Sequence, residues 1–338
     1  MISQPVKLGL IGLKGINKSL YFPAFVTCGE AKLVGGVDLS PEARTQFTEN
    51  CGLPAFATMT DMAQALDIDG VLIGTPNTAH LPNVREALSH GWHLSVTKPL
   101  CNSVAECAEA IRLAAAAGKV LQVSHEYRLR PAVRRALELA RNGEMGAITM
   151  ATAHLGHSGG LRGAGDVGRW RNQSVNAPGG CLNLLGVHMF DVLNALFGRP
   201  LAVTARLGRL VTSAELEDTA AAIVEYPEGR LGVVTASYAS VPSDLIHIFG
   251  TTGNALITGS GLILERETKP WQHTEVPDES LPQQGSGEMV LRQFCAAIRK
   301  GTGLETPGEA GLLAVALNEA ALMSQREGGR RVQIEELF

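Results

Sequence analysis

The sequence is short of aromatic side chains, which fill 5% of its positions, and of charge, which fills 18%. With hydrophobic residues at 45%, these shortages exclude a disordered, fibrous or coiled-coil chain and leave the composition of an ordinary globular enzyme. No cluster of Lys and Arg interleaves with the few aromatics, and the formal net charge is -4 at pH 7, so nucleic acid is not an expected partner. Long apolar runs are missing as well. Gly, Pro or charge interrupts each one before membrane-spanning length, and no membrane association is expected. The first residues lead straight into a strand-like stretch without a basic n-region, a long apolar h-region or a small-residue cleavage site, so no export signal is expected. The six cysteines, Cys28, Cys51, Cys101, Cys107, Cys181 and Cys295, lack the paired spacing of zinc or redox sites. A chain of this size needs no disulfide staples. Reduced, mostly buried thiols in a cytoplasm are the expectation, with no bound metal.

What is present is a regular alternation. Short, nearly continuous apolar runs at 6–11, 32–37, 70–73, 93–96 and 120–123 read as strands buried on both faces of a parallel sheet. Helix-compatible segments separate them, opened by Ser40-Pro41-Glu42, by Thr60-Asp61 and by Asn102-Ser103, the last running to Gly118. This pattern predicts a doubly wound Rossmann-type sheet. After about Ser124 the texture changes. A helix over 131–142 leads into longer strands at 201–210, 220–226, 231–237, 245–250 and 255–258, then helices at 288–299 and 308–325 and a last strand at 331–334. These predict a largely antiparallel, open-faced sheet in an α+β domain. At 338 residues the chain outgrows one hydrophobic core, so two domains are expected, 1–125 and 126–338. The glycine-rich stretch 156–168 reads as a loop bordering a site.

The turn after the first run reads Gly9-Leu10-Ile11-Gly12-Leu13-Lys14-Gly15-Ile16-Asn17. A G-x-G-x-x-G fingerprint counted from Gly12 wants glycine at Lys14 and a small residue at Asn17, so it is degraded at its second and third positions. Lys14 must turn away from a bound pyrophosphate or lie along it, while helix amides from Ile16 onward still offer donors to an anion. Asp38 ends the second strand about 20 residues beyond the glycines, where a carboxylate accepts from the adenosine ribose hydroxyls. That placement favours NAD over NADP, although Arg44 stands further along the helix. Taken alone, Asp38 reads equally well as a turn or cap residue before Ser40-Pro41. The pair His154 and His157 has a metal-like spacing, but no cysteine or carboxylate completes a set.

Two further segments end at the carboxyl edge of the sheet, Gly74-Thr75-Pro76-Asn77-Thr78-Ala79-His80 and Gly91-Trp92-His93-Leu94-Ser95-Val96-Thr97-Lys98-Pro99. Together with Ala87-Leu88, they resemble the Gfo/Idh/MocA family of oxidoreductases, whose Pro-Asn-x-x-His, Ala-Leu-x-x-Gly-x-His and Glu-Lys-Pro motifs they match with Thr97 in place of the Glu. The resemblance continues through Tyr127-Arg128-x-x-Pro131, Gly143-Glu144-Met145-Gly146, Trp170-Arg171, Gly179-Gly180, Gly186-Val187-His188-x-x-Asp191 and Phe249-Gly250-Thr251-Thr252-Gly253. It implies a nicotinamide cofactor bordered by Thr75, Pro76, Asn77, His80 and Thr97. It also implies a reaction centre at Lys98 and His188, with an aspartate four residues before the histidine. Leu184 stands there instead. Asn183 is adjacent, but on a regular helix one residue turns a side chain by about 100 degrees.

On this resemblance His188 takes the hydroxyl proton, Lys98 polarises the hydroxyl or forming carbonyl, and hydride passes to the nicotinamide. Arg128, Trp170 and Arg171 are either substrate contacts or packing and ion-pair residues. The expected function is an NAD(P)-dependent oxidoreductase acting on a sugar, cyclitol or related polyhydroxylated compound. Two alternatives stay open: an enzyme that keeps NAD bound while cleaving or epimerising a sugar, and a non-catalytic dinucleotide- or sugar-sensing protein. An open sheet face implies a homodimer or homotetramer through the C-terminal sheet.

Overall fold

The computed structural model describes residues 4–162, 170–212, 215–259, 261–266, 272–277 and 285–338. Two compact units emerge, and the first is discontinuous: Met1–Cys101, Ala105–Glu126 and Gly285–Gly311. The second comprises Asn102–Val104, Tyr127–Gln284 and Leu312–Phe338. A single cut at 125/126 assigns 285–311 to the second domain, whereas contacts place that segment with the first.

Six parallel strands make the sheet of the first unit: β1 (Val6–Ile11), β2 (Ala31–Val37), β3 (Ala55–Phe56), β4 (Gly70–Ile73), β5 (His93–Thr97) and β6 (Leu121–Ser124). Their order, β3-β2-β1-β4-β5-β6, is that of a doubly wound sheet. All four residues of β4 are buried and five of the six in β1, because helices cover both faces; this is why the runs are apolar without alternation. The order reverses between β1 and β4, so their carboxyl ends define the crevice where such sheets take ligands. Pro41–Cys51 starts at Ser40, whose hydroxyl accepts from the Ala43 N–H, and ends at Gly52 with φ 66°. The next helix, Met59–Ala65, is capped by Thr58 accepting from the Asp61 N–H, two residues before the expected Thr60-Asp61 start. Ser286–Lys300 packs from far along the chain, with Gln122 Nε2 donating to the Val290 carbonyl at 3.2 Å.

The second unit holds nine strands: β7 (Ile148–Gly156), β8 (Ala202–Gly208), β9 (Thr219–Glu225), β10 (Leu231–Ser237), β11 (Ser243–Gly250), β12 (Gly253–Thr258), β13 (Gly261–Arg266), β14 (Gln272–Glu275) and β15 (Val332–Gln333). They lie in the order β14-β13-β12-β11-β7-β10-β9-β8-β15, antiparallel except for the β7–β10 pair. Ala151, Ala153, Ala222, Val234 and Ile246 point into the core with the helices Pro131–Arg141 and Val187–Phe197. Their sequence neighbours face the other way, and Ile223, Leu231 and Leu245 are 49%, 40% and 37% exposed there. The expected loop 156–168 is in part structured: β7 ends at Gly156 and Gly159–Arg162 makes one helical turn, while 163–168 lie outside the described residues.

Candidate active site

In the first unit the predicted residues gather at the carboxyl ends of β1, β2, β4 and β5. Gly12 follows β1 with φ 84°, and a Cβ there would stand 3.1 Å from the Gly74 carbonyl oxygen, so the turn requires glycine. Asp38, half-buried, accepts from the Leu13 N–H and the Ser40 N–H, each at 2.8 Å, and thereby ties the glycine turn to the end of β2. Both carboxylate oxygens keep a second acceptor site. Arg44 does reach back: its Nη1 donates to the Asp38 and Leu39 carbonyls at 2.7 and 3.0 Å. Lys14 is exposed, with its ammonium 3.4 Å from Ser40 Oγ.

The segment after Gly15 is not the regular helix the fingerprint implies. Ile16 opens a five-residue π-turn, Asn17–Tyr21, before the α-helix Phe22–Thr27. Asn17, fully buried, donates from Nδ2 to the Ile11 and Gly12 carbonyls at 3.1 and 2.6 Å. A Cβ on Gly74 would come within 2.7 Å of the Asn17 amide, so these two residues fit only as a pair. Asn17 stands at the fingerprint's third position, which was the sequence signal for it. Residues fit a dinucleotide here on two grounds. No atom stands within 4 Å of where a Gly15 Cβ would be, and Asn17 Oδ1 is buried without a hydrogen bond.

Thr75, Pro76 and Asn77 follow β4, and Asn77 is buried within the short turn Asn77–Ala79. His80 is fully buried at the head of His80–Ser89, its Nδ1 3.0 and 3.2 Å from the Pro99 and Leu100 carbonyls and its Nε2 3.0 Å from the Thr75 carbonyl. Burial pushes its pKa below the ordinary histidine value, against the pull of those carbonyls and of Glu106. Thr97 is buried at the end of β5, Lys98 is half-buried, and the Lys98–Pro99 peptide is cis.

The second unit carries the other group. His188 is buried near the start of Val187–Phe197, and the Tyr127 ring lies against it with centroids 4.6 Å apart. One helical turn on, Asp191 is fully buried and held by Arg128, whose Nε donates to Oδ2 at 2.8 Å and whose Nη2 donates to Oδ1 and to the Asp191 carbonyl. Burial raises the Asp191 carboxyl to about 6, with Arg128 opposing. Tyr127 and Asp191 were absent from the predicted site set, though both lie in its motifs. Trp170 and Arg171 are neighbours, with the guanidinium 5.0 Å from the indole centroid. Asn183 and Leu184, 2% and 7% exposed, sit in a second π-turn, Leu182–Gly186, in which the Val187 N–H reaches the Leu182 carbonyl.

His154 lies between Thr235 Oγ1 and Ser243 Oγ at 2.8 Å each, and His157 Nδ1 accepts from the Gly159 N–H. Among the described residues, no three His, Cys, Asp or Glu side chains are arranged to hold a metal, and no helix is long and apolar enough to cross a membrane. A cavity of about 520 Å³ in the second unit, lined in part by Asn102, Ser103, Asn318 and Arg326, contains none of the predicted site residues.

A doubly wound sheet with this turn at its reversal point has the architecture of a Rossmann dinucleotide-binding domain, and the family description that matches residues 6–125 reads "Oxidoreductase family, NAD-binding Rossmann fold". Residues 133–256 match the GFO/IDH/MocA C-terminal domain, and the chain belongs to the GFO/IDH/MocA family. It is 27% identical over 293 residues to D-apiose dehydrogenase of Paraburkholderia graminis, covering 82% of this chain and 76% of that one. With inositol 2-dehydrogenase of Rhizobium meliloti it shares 24% over 343 residues, covering 95% and 97%. The crystal structure of an inositol dehydrogenase homolog from Azotobacter vinelandii, complexed with NAD+, superposes with a TM-score of 0.84 at 23% identity, covering 98% of each chain.

Proposed function

We propose that the protein is an NAD-dependent dehydrogenase of a secondary hydroxyl on a sugar, cyclitol or similar polyol. The observation that carries this is the site of the first unit: an aspartate-tied glycine turn at the sheet's reversal point, with Lys98 presented from the end of the neighbouring β5. The names of the relatives, dehydrogenases of D-apiose and of inositol, support the substrate class. Gly12, Gly15 and the amides from Ile16 onward would hold the pyrophosphate, Asp38 the adenosine ribose, and Thr75 to Asn77 with Thr97 the nicotinamide end. Bound there, the cofactor supplies the hydride acceptor. Asp38 disfavours a 2′-phosphate by charge, while the Arg44 guanidinium is already engaged by two carbonyls.

Lys98 polarises the substrate hydroxyl, and His188 accepts its proton. The Tyr127 ring and the Arg128–Asp191 pair hold the helix that carries His188. On this reading Arg128 acts through Asp191, whereas Trp170 and Arg171 contact substrate. Asn183 lies five residues before His188, inside the π-turn Leu182–Gly186, so its phase relative to His188 departs from that of a regular helix. On this reading the altered phase turns Asn183, rather than Leu184, towards the substrate and brings it an uncharged amide.

Apolar residues on the open face of the second sheet fit self-association as a homodimer or homotetramer. Six free cysteines, five of them buried, fit a reducing compartment such as the cytoplasm.

The test is thermal-shift titration with NAD and NADP, then NADH absorbance across sugars and cyclitols for wild type, Lys98→Ala and His188→Ala. NAD binding with polyol-dependent NADH formation that falls at least a hundredfold in each variant supports the reading. Undiminished turnover in Lys98→Ala rejects it. NAD binding without turnover of any polyol favours the sensing alternative.

A further inference from the structure

Two fully buried polar side chains, Asn17 and His80, lace together the carboxyl ends of neighbouring strands in the first unit. Asn17 binds the end of β1 through the Ile11 and Gly12 carbonyls and packs against Gly74 after β4. Asn83 donates to Thr75 Oγ1 at 2.9 Å. His80 spans furthest, reaching the carbonyl of Thr75 after β4 with one ring nitrogen and those of Pro99 and Leu100 after β5 with the other. Each of these three partners is a hydrogen-bond acceptor fixed in place by backbone, and the two after β5 are buried. Neither of the loops it joins is bonded to the other as strand to strand, since β4 and β5 pair only from Gly70 with His93 to Ile73 with Val96.

Lys98 lies inside the span that this ring controls. On its N-terminal side Thr97 is in register with Ser124 of β6. On its C-terminal side the next two carbonyls are those held by His80. We propose that His80 is the positioning residue for Lys98: its imidazole ties the backbone after β4 to the backbone after β5, so that the Lys98 ammonium is presented to the substrate hydroxyl in one orientation. The role rests on the reading of Lys98 as catalytic. Both loops present only carbonyl acceptors to the ring, so the two-sided tie is made by an imidazole that donates from both nitrogens, a state that the three carbonyls and Glu106 favour and burial opposes. No other side chain of similar volume offers two opposed ring nitrogens at this span, and glutamine, with its donors on a single nitrogen, restores one side at most.

The experiment is a double-mutant cycle between His80→Gln and Lys98→Ala, read as kcat and KM, with His80→Asn carried in parallel. Positioning predicts that His80→Gln lowers kcat at least tenfold when Lys98 is present and less than twofold when it is alanine, with the Kd for NAD within threefold of wild type. Equal losses in both backgrounds overturn it. A second arm needs no turnover. Reductive 13C-methylation labels the lysines, and the Lys98 signal is identified by its absence in Lys98→Ala. That signal is expected to shift or broaden in His80→Gln while the other lysine signals stay; an unmoved Lys98 signal overturns the proposal even if no polyol is ever oxidised. Should both His80 variants fail to fold, the wild type still decides. A slowly exchanging ring N–H of His80 is expected in its 15N spectrum, and a ring proton in rapid exchange with water removes the clip.

Discussion

Removing the Arg128 guanidinium tests the support beneath His188 directly. Asp191 is fully buried and Arg128 is 8% exposed, so Arg128→Met strands a carboxylate in the helix core. Breaking a buried pair from one side costs about 3–5 kcal/mol, because the remaining charge keeps its desolvation penalty and loses its partner. Replacing both, as Arg128→Met with Asp191→Leu, removes that penalty and should return most of the loss, giving a coupling of about 3 kcal/mol between the two sites. The pH dependence has a definite sign. The Asp191 carboxyl titrates at about 6 in the folded protein, against an unfolded value near 3.9. Between those values the folded state binds the extra proton, so this group's destabilisation is full above pH 6 and is relieved as pH falls towards 4. In Arg128→Met the folded value rises further, and the deficit seen at pH 8 should shrink by pH 5. Hydrogen exchange of amides in Val187–Phe197 reads the second unit by itself, which a global melt of a two-unit chain does not. An Arg128→Met protein within about 1 kcal/mol of wild type at pH 8, or a double variant no more stable than the single one, would refute the argument.

Other substitutions probe separate claims. Gly180→Ala drives a Cβ into the Glu217 carbonyl oxygen at a φ of 50°, where backbone must move, and should cost about 3 kcal/mol in urea unfolding. Asp38→Ala removes the acceptor for two backbone N–H groups and for the ribose; the Kd for NAD is expected to rise tenfold to a hundredfold, as in ~1.4–2.8 kcal/mol, while NADP binding changes less. Leu245→Asp on the open sheet face is expected to shift light-scattering mass to that of a monomer without unfolding the chain; an unchanged oligomer would place the contact elsewhere.

The parallel sheet was legible because burial on both faces imposes a composition: β4 reads as an unbroken apolar run and β1 as one interrupted only by Lys7. β7 was not, although it sits in the middle of the second sheet. Its sequence, Ile-Thr-Met-Ala-Thr-Ala-His-Leu-Gly, fills the core face mainly with alanine, whose strand propensity is low. The edge strand β14 and its neighbour β13 were likewise missed. Site residues on motifs could be located along the chain but not assigned a partner: nothing in the spacing of Arg128 and Asp191 says that one closes on the other. The π-turns had no sequence signature at all. Asn183 and Leu184 would differ by about 100 degrees on a regular helix, and the turn Leu182–Gly186 departs from that geometry. The helix Ser286–Lys300 was evident from its periodicity, but periodicity cannot tell which sheet a helix will cover.

That last helix gives the molecule a particular biography. Phe294 reaches the backbone of β4, Gln122 donates to Val290, and Arg292 pairs with Glu30, so the dinucleotide-binding half is sealed by residues made long after its own strands. On the ribosome, its six strands emerge long before the piece that caps them, and must wait through the synthesis of eight of the nine strands of the second sheet. A fragment ending near residue 126 would carry every glycine and carboxylate of the nucleotide turn and still lack a wall of its own core.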